Sequence, residues 1–309
     1  HQADIAALLE PVYLESEHWE QLYSLLQLRL DLEEDEIDIL ELRRRLAQLS
    51  LEQMGQPVQA LQWFGEAFRL DPGDDGLLGQ MNSLAAETGE YAHLHEVLLD
   101  VAIGLDDADR KIELWHRSAV LVEEQLGDVS QAETIYELIL DEDSDNVPAL
   151  QNLDRILVAQ ERWTDLEAIL EREIELVEYD NERVALLLRL GELLRDHLHR
   201  LEDAIGAYNR ALDADDTHAG ALAHIADLYR DTEQWSELAS TLRRRVDNAE
   251  RDEERLDHLR EMALISEQML ENVEESIELW EEILQLAYDD LDAIRNVQRL
   301  HRAEGNDES

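Results

Sequence analysis

The sequence predicts an all-α chain of stacked helical hairpins, and three observations carry that prediction. The first is a fixed internal period of 72 residues. It separates Trp19, Tyr91, Trp163 and Trp235; Phe64, Tyr136, Tyr208 and Trp280; and Met54, Leu126, Leu198 and Leu270. Three apolar ladders with one spacing and no net insertion mark repeated units, each needing a neighbour to bury its apolar face. The second is composition: Leu and Ala dominate the apolar residues, with only 2 Phe and 4 Pro in 309 residues, which favours helix over sheet. The third is the helical spacing of apolar residues inside each unit.

Thr217 to Tyr288 shows the elements of one unit in order. Ala221, Leu222, Ile225, Ala226, Leu228 and Tyr229 line one face of a first helix, ended by Asp231-Thr232-Glu233-Gln234. Trp235, Leu238, Leu242 and Val246 form the stripe of a second. A third, longer helix carries Leu256, Leu259, Met262, Ala263, Leu264, Met269 and Leu270. Asn272 opens a fourth with Ser276, Ile277, Trp280, Ile283 and Leu284. The chain therefore reads as four 72-residue double-hairpin units plus a final helix, Leu291 to His301. Equivalent positions Ala204, Leu238 and Ser276 are spaced 34 and 38 apart. The extra four residues are about one helical turn and fall in Glu36–Met54, Ala108–Leu126, Asp180–Leu198 and Asp252–Leu270.

The stretch Asp203 to Asp215 places Ala204, Tyr208 and Ala211 at spacings of four and three, and Ala221 to Tyr229 precedes a 34-residue repeat. These residues resemble the second and first helices of the tetratricopeptide repeat family, and the resemblance covers essentially the whole chain. Trp235 stands where that family prefers Tyr, Leu238 replaces a small residue, and the 38-residue hairpins are longer than standard. The resemblance implies a right-handed α-solenoid (superhelix), continuous over 1–304, with 305–309 as a polar tail. Small residues Ala47, Ala119, Gly191 and Ala263 let helices approach closely. Pro57 and Pro148 suit first helical turns, where the missing N–H costs little, and Pro72 follows a helix end. The chain starts without an initiator Met near a repeat boundary, so a larger parent array is expected.

Charge narrows the partners. Asp and Glu number 75 against 26 Lys and Arg, a net charge of −49. Repulsion from phosphates argues against nucleic acid or an anionic membrane as the main partner. No apolar run reaches the roughly 18 residues that span a bilayer. Only Lys111 is lysine. Codon bias and adaptation to high salt both account for that skew. Without Cys, thiolate chemistry, disulfides and Cys-ligated zinc are absent; that leaves the compartment undetermined, with the cytoplasm slightly favoured.

No catalytic or metal-binding residue and no cofactor is read from the sequence. Asp141 to Asn146 begins like a calcium loop, but its sixth position is Asn146 and its twelfth is Asn152; an inter-repeat turn capped by Asn146 is the simpler reading. His93/His95 and His197/His199 are i, i+2 pairs that point to different helix faces. The Arg43–Arg45 and Arg243–Arg245 triplets read as ion-pair partners, with a small anion site as the lesser alternative.

In tetratricopeptide arrays the first helices line the concave face. Carried onto matching positions, that groove includes Gln151, Arg155, Ala223, Asp227 and Arg230, with Glu192 and Arg195 on a longer helix. Position 155 varies between copies (Pro11, Ser83, Arg155, Asp227) while the apolar ladders hold. The expected function is a non-catalytic scaffold that binds a protein or peptide, basic by charge complementarity. The alternatives are a spacer associating end to end with itself, or the docking part of a larger enzyme.

Overall fold

A computed structural model describes residues 2–307, and the side chains of 8–303. The described residues form seventeen α-helices and no strand. They divide into two compact units, His1–Ile156 and Leu157–Ser309. The first contains α1 (Gln2–Glu15), α2 (Trp19–Leu32), α3 (Glu36–Glu52), α4 (Pro57–Phe68), α5 (Asp75–Thr88), α6 (Tyr91–Ile103), α7 (Ala108–Leu121) and α8 (Val129–Glu142); the division falls within α9 (Val147–Ala159). The second contains α10 (Trp163–Leu176), α11 (Asp180–Asp196), α12 (Leu201–Ala214), α13 (Ala219–Asp231), α14 (Trp235–Asn248), α15 (Asp252–Gln268), α16 (Val273–Leu286) and α17 (Leu291–Asp307). Within each unit, consecutive helices pack on one another.

The aromatic ladder Trp19, Tyr91, Trp163 and Trp235 opens α2, α6, α10 and α14. Phe64, Tyr136, Tyr208 and Trp280 are buried at equivalent points of α4, α8, α12 and α16, each contributing on the order of 1.5–3 kcal/mol by area. The longer first helices are present: α3, α11 and α15 have 17 residues, against 13 in α9 and α13. In α7 the extension is a π turn, Val122–Leu126.

The turns repeat as closely as the core. Every left-handed residue among the described ones lies in one of two 72-spaced ladders: Glu17, Gly89, Glu161 and Glu233, or Gly55, Gly127, His199 and Glu271. At Glu161 and Glu233 the following N–H groups, of Arg162 and Gln234, bond back to Leu157 and Tyr229 carbonyls at 3.0 and 2.8 Å, so orphan carbonyls at the helix end are satisfied. After the long helices the loop is wider. Gln56, Arg200 and Asn272 reach the carbonyls of Ser50, Leu194 and Ser266 at 2.8, 2.8 and 2.7 Å.

Pro57 is the first residue of α4 and Pro148 the second of α9. Asn146 caps α9 by accepting from the Ala149 N–H at 3.2 Å, so Asp141 to Asn146 is the turn between α8 and α9. One boundary differs from the sequence reading. Helix α17 continues to Asp307, into the segment expected as a polar tail; the last two residues lie outside the described ones.

Candidate partner-binding face

The sequence-selected residues fall in both units. Gln151 and Arg155, in the first, are exposed and one turn apart on α9. Arg155 pairs with Glu123 of the π turn at 2.6 Å and with Asn152 at 3.3 Å. The hydrogen bond to Glu123 raises the Arg155 pKa.

The other five lie in the second unit, on α11 and α13. Glu192 and Arg195 are joined through His224, which is 3.7 Å from Glu192 and 3.3 Å from the Arg195 guanidinium. Half-buried Ala223 precedes that histidine. Arg195 also clasps Asp196 at 2.6 and 2.9 Å, which raises the guanidinium pKa and lowers that of the carboxyl. Asp227 and Arg230 pair along α13 at 2.7 Å, and Arg230 bridges to Glu261 of α15 at 2.6 Å. Burial works against the charged form of Arg230, but those two carboxylates more than offset it and its pKa rises.

Beneath this face, Tyr208 is fully buried and stacks on His224 with ring centroids 5.3 Å apart and planes at 16°. Burial, reinforced by Glu192 and Asp196 against the opposing Arg195, pushes its phenol up to about 12. It remains neutral at any ordinary pH, and its hydroxyl has no hydrogen-bond partner among the described residues.

All three expected groove cations, Arg155, Arg195 and Arg230, are thus held by carboxylates of their own unit. Four of the triplet arginines, Arg43, Arg44, Arg45 and Arg243, are likewise ion-paired. Arg44 pairs with Asp74 and Asp71 at 2.6 and 3.2 Å, Arg45 with Glu10, and Arg243 with Glu282 at 2.8 Å. Arg43 donates to the Glu66 carbonyl at 2.6 Å. Sequence reasoning missed the partners Glu123, His224 and Glu261. Their signal was the spacing of roughly thirty residues that joins one first helix to the next.

One histidine of each i, i+2 pair makes an intramolecular contact. His197 stacks on Trp163 at 3.8 Å, and His95 is buried between Ser118 and Gln131 at 2.7 and 3.0 Å. Among the described residues no three His, Asp, Glu or Cys side chains converge as metal ligands, and no helix is long and apolar enough to cross a membrane.

Paired helices throughout, recurring aromatic anchors and repeated turns define a helical-repeat protein. Residues 149–184 and 221–256 each match the tetratricopeptide repeat family model. The chain is a tetratricopeptide-like helical repeat protein. Similar solved structures include YrrB, described as a TPR protein with an unusual peptide-binding site. It is 17% identical, with 62% of this chain and 97% of that chain covered and a TM-score of 0.36. The C-terminal part of a TPR repeat-containing protein from Cytophaga hutchinsonii is 11% identical, with 82% and 98% covered and a TM-score of 0.39. The TPR2AB domain of yeast Sti1, in complex with pHSP90, is 14% identical, with 85% and 97% covered and a TM-score of 0.32. No curated protein sequence matches the chain.

Proposed function

We propose that the chain is a non-catalytic protein-binding scaffold whose first-helix face holds a basic segment of a partner protein. The observation that carries this reading is the pairing of Arg155, Arg195 and Arg230 within their own units. With those cations neutralised, the charge left to attract a partner is the acidic excess, −49 over the chain. Such a field steers a cationic segment and raises its association rate, and salt weakens it. The two segments that match the tetratricopeptide repeat model support the scaffold role; Glu192 and Asp227 are the acids assigned to meet the partner, Asp227 sharing its charge with Arg230.

The test is capture by crosslinking at near-native salt, comparing the wild-type chain with a Glu192→Arg/Asp227→Arg variant. A discrete basic partner held by the wild type and lost from the variant is the expected result. Equal capture by both sinks the assignment of the face.

A second reading, self-association, is favoured by the exposure of Leu8, Val12 and Leu14 on α1 and of Leu28 and Leu32 on α2. Sedimentation that shows one monomeric species at every concentration removes it.

A further inference from the structure

The second helices carry one position whose occupant changes completely while the backbone repeats: Tyr23, His95, Glu167 and Ala239, each 72 residues from the next. In three of them the side chain bridges to a neighbouring element. The Tyr23 hydroxyl accepts from Gln59 and Trp63 of α4 at 2.7 and 2.9 Å. His95 joins Ser118 of α7 to Gln131 of α8. Glu167 takes the Arg200 guanidinium at 2.7 Å, just ahead of α12. At Ala239 the side chain ends at Cβ, and a cleft of about 580 Å³ opens between α14 and α16 over α15.

The chemistry of this cleft is defined. Its floor includes Met262 and Leu279, and Glu275 and Glu278 stand on its α16 side. Glu275 occupies the position of Gln59 and Gln131, which receive the bridge in two other copies. Its carboxylate accepts from two neutral donors, Ser266 at 3.1 Å and Asn272 at 3.0 Å, which fix it in place, and its charge also acts on Arg243. Glu278, one turn further along the same face, makes no ion pair among the described residues. Arg243 is committed to Glu282 through two hydrogen bonds, at 2.9 and 2.8 Å, and Arg244 donates to the Asp216 carbonyl. The cleft's three carboxylates, Glu275, Glu278 and Glu282, outnumber its two guanidiniums, Arg243 and Arg244, and over an apolar floor that acidic excess suits a side chain with an aliphatic stem and a cationic head.

We propose that this cleft receives a lysine side chain of a partner polypeptide, with its methylenes on Met262 and Leu279 and its ammonium at Glu275 and Glu278. The incoming residue supplies the bridge that Tyr23, His95 and Glu167 supply from within the chain. The cleft is lined by α14 and α16 with Met262 of α15 and shares no residue with the expected first-helix face, so it stands or falls independently of it.

The test uses the full chain labelled at its methionine methyls and titrated with deca-lysine at roughly 0.15 M salt, where long-range attraction is largely screened. Met262 reports the cleft; Met54 and Met81, in the other unit, are internal controls. The expected result is a saturable Met262 shift with the controls unmoved. Glu278→Gln, a surface change, should weaken that binding about tenfold, as loss of a charged hydrogen bond does. Ala239→Tyr installs the residue its equivalent position already carries and should abolish the shift with the thermal midpoint retained. A Met262 resonance that stays still, or that moves equally in Glu278→Gln, overturns the proposal. A Met262 shift that is lost in Glu192→Arg/Asp227→Arg, which alters the first-helix face alone, also overturns it while leaving the scaffold reading intact.

Discussion

The hairpin α7–α8 of the first unit and the hairpin α11–α12 of the second share one backbone plan and are locked differently. Against α7–α8, the bridge is His95, buried, bonded to Ser118 and Gln131 and never exposed to salt. Against α11–α12 it is Glu167 with Arg200, an ion pair whose arginine is 46% exposed. The interior differs too. Ala119 is the buried small residue of α7. Its equivalent, Gly191, leaves no room for a methyl, because a Cβ there would stand 2.4 Å from a Tyr208 ring carbon. The period therefore fixes where helices run, and each copy finds its own way to join them.

The largest break in this comparison is expected at His95. His95→Ala removes two hydrogen bonds, strands the buried Ser118 hydroxyl and leaves a cavity, at a cost of about 2–4 kcal/mol; denaturant midpoints measure it. The same residue gives a pH signature. Burial, the dominant cause, depresses the His95 pKa despite the opposing pull of Glu96 and Asp128. The unfolded chain then binds the proton more readily, so stability falls as pH drops through the ordinary histidine range near 6.5. His95→Gln keeps hydrogen-bonding groups without titrating, and its stability should fall less than wild type between pH 7.5 and 5.5. Parallel slopes for the two proteins would show that His95 does not titrate differently on folding.

Next in size is the small-residue swap. Gly191→Ala should lose about 1–2 kcal/mol, because displacing a buried ring outweighs the helix propensity gained. Ala119→Gly should lose about 1 kcal/mol for the opposite reason. If Gly191→Ala stabilises, the contact with Tyr208 is looser than the geometry says.

Smaller still, Glu161→Gly should stabilise by about 0.5–1 kcal/mol, since Glu161 sits at φ 56° where its equivalent is Gly89. Hydrogen exchange of the α9–α10 turn reads the effect locally. The smallest effect is expected at the surface bridge. Glu167→Gln should cost under about 1 kcal/mol, and high salt should erase the difference; a larger, salt-insensitive loss would mean the bridge is a core element.

Much of this was open to sequence reading. The ladders at Trp19 and Phe64 located the helix starts and buried anchors, because a period set by backbone stacking repeats in the chain itself. The helices that carry the expected groove residues were legible, but the ion-pair partners of those residues were not: nothing local to Arg230 points to Glu261, thirty-one residues away. The bridging position was hidden for another reason. Tyr23, His95, Glu167 and Ala239 share the 72-residue period but no chemistry, so nothing in the residue types shows that three of them bridge helices.

The sequence by itself determined an all-helical repeat, its alternating hairpin lengths, its turns and its acidity, since each depends on spacing and composition. The tertiary structure decided which arginines are consumed by their neighbours, that Tyr208 takes the space beside Gly191, and that a cleft opens at Ala239. Those outcomes depend on side chains meeting across helices, where distance and direction, not order along the chain, set the energy.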